Sequence, residues 1–376
     1  MTNLILPPST IGIIGGGQLG RMMAISAKQM GYKVAVLEPA ALGPLAQVAD
    51  LEINAPYDSE EALTQLLAVS DVVTYEFENI DSHVVEKLAS AGYIPQGHRP
   101  LAITQHRYIE KTSINNCGFK TAPFEKVDNF NDLKNAIKKI GYPSILKTVS
   151  GGYDGKGQWT LKSDSDLENV HSVVENQNCI LEGFVPFTKE ISVIVTRGTN
   201  DQVETFPVVE NIHQNHILHL SIVPARIDAN LAKKAEEVAA TLIEKLDFVG
   251  TLAIEMFVVE DDIIINELAP RPHNSGHYTI DACNVSQFEQ HIRAVCGLPL
   301  IKPTLIQPAI MVNLLGQHVE YTLNMWTKPE FSDAKLHLYG KEEMRANRKV
   351  GHLTFMNHFE TKLEETVNQF LINFPK

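Results

Sequence analysis

Two carboxylates in neighbouring apolar runs pose the sharpest chemical question in this chain. The segment Leu252–Val259 is apolar except for Glu255, passes through Glu260-Asp261-Asp262, and returns as Ile263-Ile264-Ile265-Asn266-Glu267. A three-residue tip sets Val259 opposite Ile263, Phe257 opposite Ile265 and Glu255 opposite Glu267. Side chains alternate along a strand, so both glutamates fall on one face. Opposed residues hold their Cβ atoms ~4.5–5.5 Å apart, and like charges there destabilise the pair. We therefore expect a divalent cation between Glu255 and Glu267. Mg²⁺ favours one or two protein carboxylates together with substrate phosphate oxygens. Asn266 is a candidate further ligand. The rival reading is an exposed hairpin whose acids are screened by water.

Two glycine loops offer backbone N–H groups to anions. Gly15-Gly16-Gly17-Gln18-Leu19-Gly20 fits G-x-G-x-x-G between a predicted strand, Thr10–Ile14, and a predicted helix, Arg21–Met30. Glu38 closes the next strand, as a dinucleotide fingerprint requires. On this loop alone, a nicotinamide dinucleotide stands level with its rivals, another phosphorylated ligand or a turn that merely packs tightly. The second loop, Ser150 to Gln158, follows the strand Ser144–Val149, which carries Lys147. A lysine in an apolar strand needs an anionic partner, and a glycine-rich hairpin can fold over a polyphosphate. The spacing is not that of a P-loop.

Beyond the carboxylate hairpin lie Arg271, His273 and Asn274. A guanidinium fork matches a small planar anion such as bicarbonate. His213, His216 and His219 suit zinc poorly, because strand alternation turns His213 and His216 to opposite faces. Lys341, Arg345, Arg348 and Lys349 form a basic run, either a solvated face or a phosphate pocket.

Positioning these groups takes several elements. The first hundred residues alternate strand and helix, which predicts a parallel sheet with helices on both faces. A segment rich in proline and glycine, Ile94–Pro100, connects this domain to the next. A helix is expected over Leu101–Cys117, then a compact α+β unit to about Gly183, then β-rich stretches broken by one helix, Leu231–Leu246. We divide the chain at 1–100, 101–298 (small lobe about 121–183, large lobe about 184–298) and 299–376, the last a small β-rich domain. With 32 Lys and Arg against 45 Asp and Glu, the net charge of −13 argues against a nucleic-acid coat. Four scattered cysteines form no C-x-x-C pair. No apolar run is long enough for a membrane span, and Met1 to Thr10 lacks a signal-peptide core. A cytoplasmic enzyme is expected.

The ordered set of motifs resembles the ATP-grasp superfamily. Within it the chain is similar to the N5-carboxyaminoimidazole ribonucleotide synthetases, the biotin-independent carboxylases of purine synthesis. The likeness rests on Gly15 to Met22, Tyr75-Glu76-Phe77-Glu78-Asn79, Gly152 to Gln158, Asn266 to His277, and Arg348-Lys349-Val350-Gly351-His352. It implies an ATP-grasp fold, mixed α/β and α+β, with a Rossmann-like N-terminal domain and a small C-terminal domain. It implies ATP and Mg²⁺ as cofactors, 5-aminoimidazole ribonucleotide and bicarbonate as substrates, and a homodimer. By this likeness Arg107 and Lys147 contact ATP phosphates under a hairpin of Gly152, Tyr153, Asp154, Gly155, Lys156, Gly157 and Gln158. Glu182, Gly183, Phe184 and Val185 line the adenine, Glu190 holds the ribose, and His213 sits near the nucleotide. Asn266 and Glu267 belong to the ATP site, and Glu255 and Glu267 bind Mg²⁺. Gln18, Leu19 and Glu76 face the ribonucleotide, with Lys341, Arg345 and Arg348 toward its phosphate. Arg271, His273 and Asn274 surround bicarbonate, and Tyr153-Asp154 is the candidate proton acceptor. Asn347 stands where the likeness leads us to expect glycine. Rival readings are a formate-dependent glycinamide ribonucleotide transformylase, a biotin carboxylase and, in another class, an NAD-dependent dehydrogenase.

Overall fold

Short Val/Ile-rich runs near the N-terminus pair as a parallel sheet, in the order Leu51–Ile53, Lys33–Leu37, Thr10–Ile14, Val72–Tyr75. The computed structural model describes residues 3–152 and 156–375. Ile11, Ile13, Val34 and Val36 pack into one core, and Ile14, Ala35, Leu37 and Val73 into another. Burial on both faces is what continuous apolar strands require. Leu51–Ile53 escapes a sequence reading because three residues carry no period. The helix Gln18–Gln29 packs Met22 and Met23 against Phe288 and Ile292 of the helix Gln287–Val295. That contact fastens the glycine loop to the far lobe.

A second sheet is antiparallel, ordered Phe124–Val127, Cys179–Gly183, Ser144–Thr148, Gln158–Leu161. Leu133, Ile137, Val170 and Val174 of two helices, Phe130–Ile140 and Leu167–Asn176, share a core with Leu146 and Leu181 on one face. Alternation then turns Lys147 and Glu182 to the other face.

The third sheet has nine strands. Its path is Asp262–Ala269, Gly250–Val259, Lys189–Arg197, Val209–Gln214, Ile217–Val223, Ala309–Leu315, Lys349–Met356, Lys335–Leu338, with Val203–Thr205 paired to Lys189–Arg197. The C-terminal strands therefore extend the large-lobe sheet through Ile217–Val223. Phe331, Phe355 and Phe370 fill the core there, the last from the helix Glu360–Leu371. Asp262–Ala269 is an edge strand, and its outer side meets other chain segments: Ile265 bridges Thr121 and donates its N–H to the Lys120 carbonyl at 2.9 Å.

The single helix expected over Leu101–Cys117 is two helices, Arg99–Thr104 and Arg107–Asn116. His106 between them is extended, with φ −130° and ψ 103°. No proline or glycine marks the break. A tertiary contact accounts for it: the Arg107 N–H donates to the Val149 carbonyl at 2.8 Å, beside the second glycine loop.

Candidate active site

Glu255 and Glu267 do stand opposite each other, but the hairpin reaches that register by another route. The turn is Glu260-Asp261, two residues rather than three, with Glu260 in the left-handed region at φ 53°. Val259 pairs with Asp262 and Phe257 with Ile264, not with Ile263 and Ile265. A bulge between Glu255 and Met256 restores the expected alignment at the glutamates, and Asn266 is the extra residue on the facing strand. Bulges re-aim side chains beside active sites.

The electrostatics favour a cation here. Burial, and then the neighbouring Glu267, pushes the Glu255 carboxyl up to about 7. His273 Nε2 lies 3.3 Å from it. That imidazole is held well below its usual range by burial and by Arg271, so it stays neutral. Glu267 has Arg107 Nη1 at 3.3 Å and remains 42% exposed. His213 and Lys349 also act on Glu255, but less than burial and Glu267 do; two opposed carboxylates with one guanidinium on Glu267 are a donor set that fits Mg²⁺.

Behind this pair lies a buried ionic cluster. Lys147 Nζ donates to Glu182 Oε2 at 2.8 Å, and Lys111 Nζ reaches the same oxygen at 3.3 Å. The Glu182 side chain thus faces two lysines, while Val185 is buried and Phe184 is 48% exposed. Gly183 ends the strand Cys179–Gly183. Above Lys147, Gln158 occupies the paired position on the next strand. Gly157 takes φ 73°, which permits its carbonyl to accept from the Thr148 N–H at 2.9 Å. Arg107 Nη2 donates to the Gly152 carbonyl at 3.4 Å. Lys156 is exposed. Tyr153, Asp154 and Gly155 lie outside the described residues.

Glu190 and His213 meet as an ion pair, Oε2 to Nδ1 at 2.5 Å. Burial pulls the imidazole down, but the carboxylate outweighs it and holds His213 above its usual value. His216 sits in the turn with Asn215, both at positive φ, and His219 lies against Phe374, so the three histidines do not converge. Asp281, His337 and His352 do approach one another. These groups already bond within the protein, however: His337 Nε2 pairs with Asp281 Oδ2 at 2.9 Å, and His352 Nδ1 with the Tyr339 hydroxyl at 2.9 Å.

A cavity of about 240 Å³ joins the N-terminal unit to the large lobe. Gln18, Leu19 and Glu76 line one wall, and Arg271, His273, Asn274 and Lys349 another. The Glu76 carboxylate accepts from the Gly20 N–H at 2.6 Å and from Gly17. Burial raises its pKa. Arg271 forks onto Glu78: Nη2 donates to Oε1 at 2.7 Å and Nε to Oε2. Ser275 orients His273 through Nδ1 at 2.9 Å, and Gln287 Oε1 accepts the His273 N–H at 2.8 Å. The Asn274 Nδ2 is buried with no protein partner.

The basic run divides. Lys341 Nζ donates to the Lys349 carbonyl at 2.7 Å, and burial, with Arg348 nearby, pushes it down to about 8. Arg345 is 72% exposed and pairs with Glu343 at 2.6 Å, and Arg348 lies 3.7 Å from the same acid. Neither arginine lines the cavity, whereas Lys349 does. Asn347, at φ 63°, fills the glycine-like position. Asparagine tolerates that conformation, and its N–H donates to Gln317 Oε1 at 3.0 Å.

Sequence reasoning gave no role to Glu78, Glu110, Lys111 or Gln287, and it named Lys349 only as one member of the basic run. Glu110 and Lys111 fall three and four positions after Arg107, a spacing that shares a helix face. That signal becomes legible only once the helix is known to start at Arg107.

A small antiparallel sheet set against a large-lobe sheet that bears two opposed carboxylates is the arrangement of an ATP-grasp enzyme, and residues 112–288 match the ATP-grasp domain. Residues 9–105 match the ribonucleotide synthetase preATP-grasp domain, and 309–366 the phosphoribosylaminoimidazole carboxylase C-terminal domain. The N5-carboxyaminoimidazole ribonucleotide synthase of Bacillus subtilis (strain 168) is 51% identical, over 98% of this chain and 97% of its own. The N5-carboxyaminoimidazole synthetase of Staphylococcus aureus, solved with ADP, is 43% identical with a TM-score of 0.93, covering 98% of both chains. The Aspergillus clavatus synthase, solved with ADP and 5-aminoimidazole ribonucleotide, is 30% identical with a TM-score of 0.90, over 97% of this chain and 98% of its own. The chain belongs to the N5-carboxyaminoimidazole ribonucleotide synthase family.

Proposed function

We infer that this chain carboxylates 5-aminoimidazole ribonucleotide with bicarbonate at the expense of ATP, giving N5-carboxyaminoimidazole ribonucleotide, ADP and phosphate in purine biosynthesis. One observation carries the reading. His273 lines the cavity shared with the N-terminal glycine loop and also touches Glu255 at 3.3 Å, so the acceptor pocket and the cation-binding carboxylates are neighbours.

In this reading Arg107 and Lys147 hold the ATP phosphates, Glu190 and His213 the ribose, and Gly183 to Val185 the adenine. Glu182 acts from beneath by fixing Lys147. Mg²⁺ held by Glu255 and Glu267 supplies charge neutralisation at the phosphoryl oxygens when bound. With Nε and Nη2 engaged by Glu78 and one Nη1 hydrogen donated to the Pro272 carbonyl at 3.2 Å, Arg271 offers its remaining N–H groups to bicarbonate beside His273 and the unpartnered Asn274 amide. A bicarbonate oxygen attacks the γ-phosphorus, ADP leaves, and carboxyphosphate forms. The exocyclic amine of the ribonucleotide then takes the carboxyl carbon, phosphate departs, and the amine proton passes to the Tyr153-Asp154 pair. Closure of the glycine hairpin keeps water from the intermediate. Gln18, Leu19, Glu76 and Lys341 hold the ribonucleotide. Arg345 and Arg348 reach its phosphate only if their loop folds inward from Glu343.

ADP release tests the reading: it requires 5-aminoimidazole ribonucleotide and bicarbonate together. Turnover triggered instead by formate with glycinamide ribonucleotide, or by biotin, overturns it. A homodimer acting in the cytoplasm, drawn from the family likeness, is part of the same proposal, and sedimentation equilibrium reads the dimer directly.

A further inference from the structure

Three consecutive residues of the bulged edge strand are each held by a different side chain of one helix. On Arg107–Asn116, Lys111 Nζ donates to the Asn266 carbonyl at 3.2 Å. Arg107 Nη1 donates to the Glu267 carboxylate at 3.3 Å. Glu110 Oε1 accepts the Leu268 N–H at 2.7 Å. Glu110 and Lys111 are 2% and 1% exposed. An edge strand leaves N–H and C=O groups without a ladder partner, and Asn266 has lost its cross-strand partner at the bulge. Two buried ionisable side chains take over those bonds. Lys111 also contacts Glu182 Oε2 at 3.3 Å, the oxygen that holds Lys147. It therefore ties the phosphate-facing lysine of the small lobe to the carboxylate strand of the large one.

We propose that Glu110 and Lys111 are positioning residues: they fix the backbone on either side of Glu267, and so the aim of its carboxylate toward Glu255 and the cation. The inference rests on reading Glu255 and Glu267 as the cation's ligands. Groups that orient metal ligands contribute about 10–100-fold to metal affinity.

Calorimetric titration of the folded protein with ADP, in Mg²⁺ and in a chelator, provides the test. Glu110→Ala lowers ADP affinity about tenfold or more in Mg²⁺ and leaves the chelator arm as in the native chain. Glu110→Gln, which keeps an oxygen for the Leu268 N–H, restores the Mg²⁺ arm. Should Glu110→Ala not fold, Glu110→Asp, one methylene too short to reach that amide, is read in the same way. An equal loss in both arms, unchanged Mg²⁺ affinity, or no rescue by glutamine overturns the proposal. A native chain that binds ADP equally in both arms would instead remove the reading of Glu255 and Glu267 beneath it.

Discussion

The Glu76 carboxylate accepts a hydrogen bond from the Gly20 N–H at 2.6 Å, at the first turn of the helix that opens the N-terminal glycine loop. Its other oxygen takes the Gly17 N–H, and Glu38 Oε2 takes that of Gly16 at 2.6 Å. The amides that would cradle a dinucleotide pyrophosphate already serve internal carboxylates. The spacing of Gly15–Gly20 matches a dinucleotide fingerprint, but the loop is wired to two acids instead. NADH will therefore leave the melting temperature unchanged, while Mg-ATP raises it. Stabilisation by NADH without any by Mg-ATP would restore the dehydrogenase reading.

Removing one member of the carboxylate pair addresses the cation directly. Glu267→Ala is expected to cut turnover by about 100-fold or more, beyond the usual effect of an outer partner, with an unchanged circular dichroism spectrum. Near-native activity would remove the metal role.

Arg271 and Glu78 form a bidentate pair in which both side chains are less than one-third exposed. Arg271→Ala leaves Glu78 without its counter-ion, so stability falls by roughly 1–3 kcal/mol, below the full range for a deeply buried pair. The bicarbonate KM rises far more than the ATP KM. Glu78→Gln added to Arg271→Ala recovers stability but not bicarbonate use. An unchanged bicarbonate KM in Arg271→Ala counts against its substrate role.

Two buried carboxyls set a pH dependence of unusual sign. Glu255 is raised to about 7 and Glu110 to about 8, against 4.5 when unfolded. Between these limits the two carboxyls bind more protons in the folded chain than in the unfolded one, so their own contribution to stability falls as pH rises. The buried histidines, lowered from 6.5, act in the opposite direction near and below that value, and Lys341, lowered to about 8, does so at higher pH. The Glu110 contribution is therefore read by comparison: the stability difference between the native chain and Glu110→Gln is expected to shift against the native chain as pH rises from 6 to 8. A difference that is constant, or that shifts the other way, contradicts the assignment.

Local patterns made much of this legible. Val/Ile runs announced the parallel sheet, and strand alternation placed Glu255 against Glu267 despite a misjudged turn, because the Asn266 bulge compensates for the missing turn residue. Long-range pairing left no such trace. Nothing in Ala309–Leu315 signals that it pairs with Ile217–Val223. The break at His106 answers to the Val149 carbonyl, 43 residues further along the sequence, and hides Glu110 and Lys111 with it. Arg345 and Lys349 look alike in a basic run, yet the strand Lys349–Met356 carries Lys349 into the cavity wall while Arg345 stays in an exposed loop.

Transfer of an isotopic label measures the central claim most directly. With bicarbonate carrying oxygen-18, ATP and 5-aminoimidazole ribonucleotide, attack on the γ-phosphorus delivers one labelled bicarbonate oxygen to each phosphate released. Unlabelled phosphate, formed at the same rate as the carboxylated product, would show that bicarbonate never joins the phosphoryl group and would contradict the account.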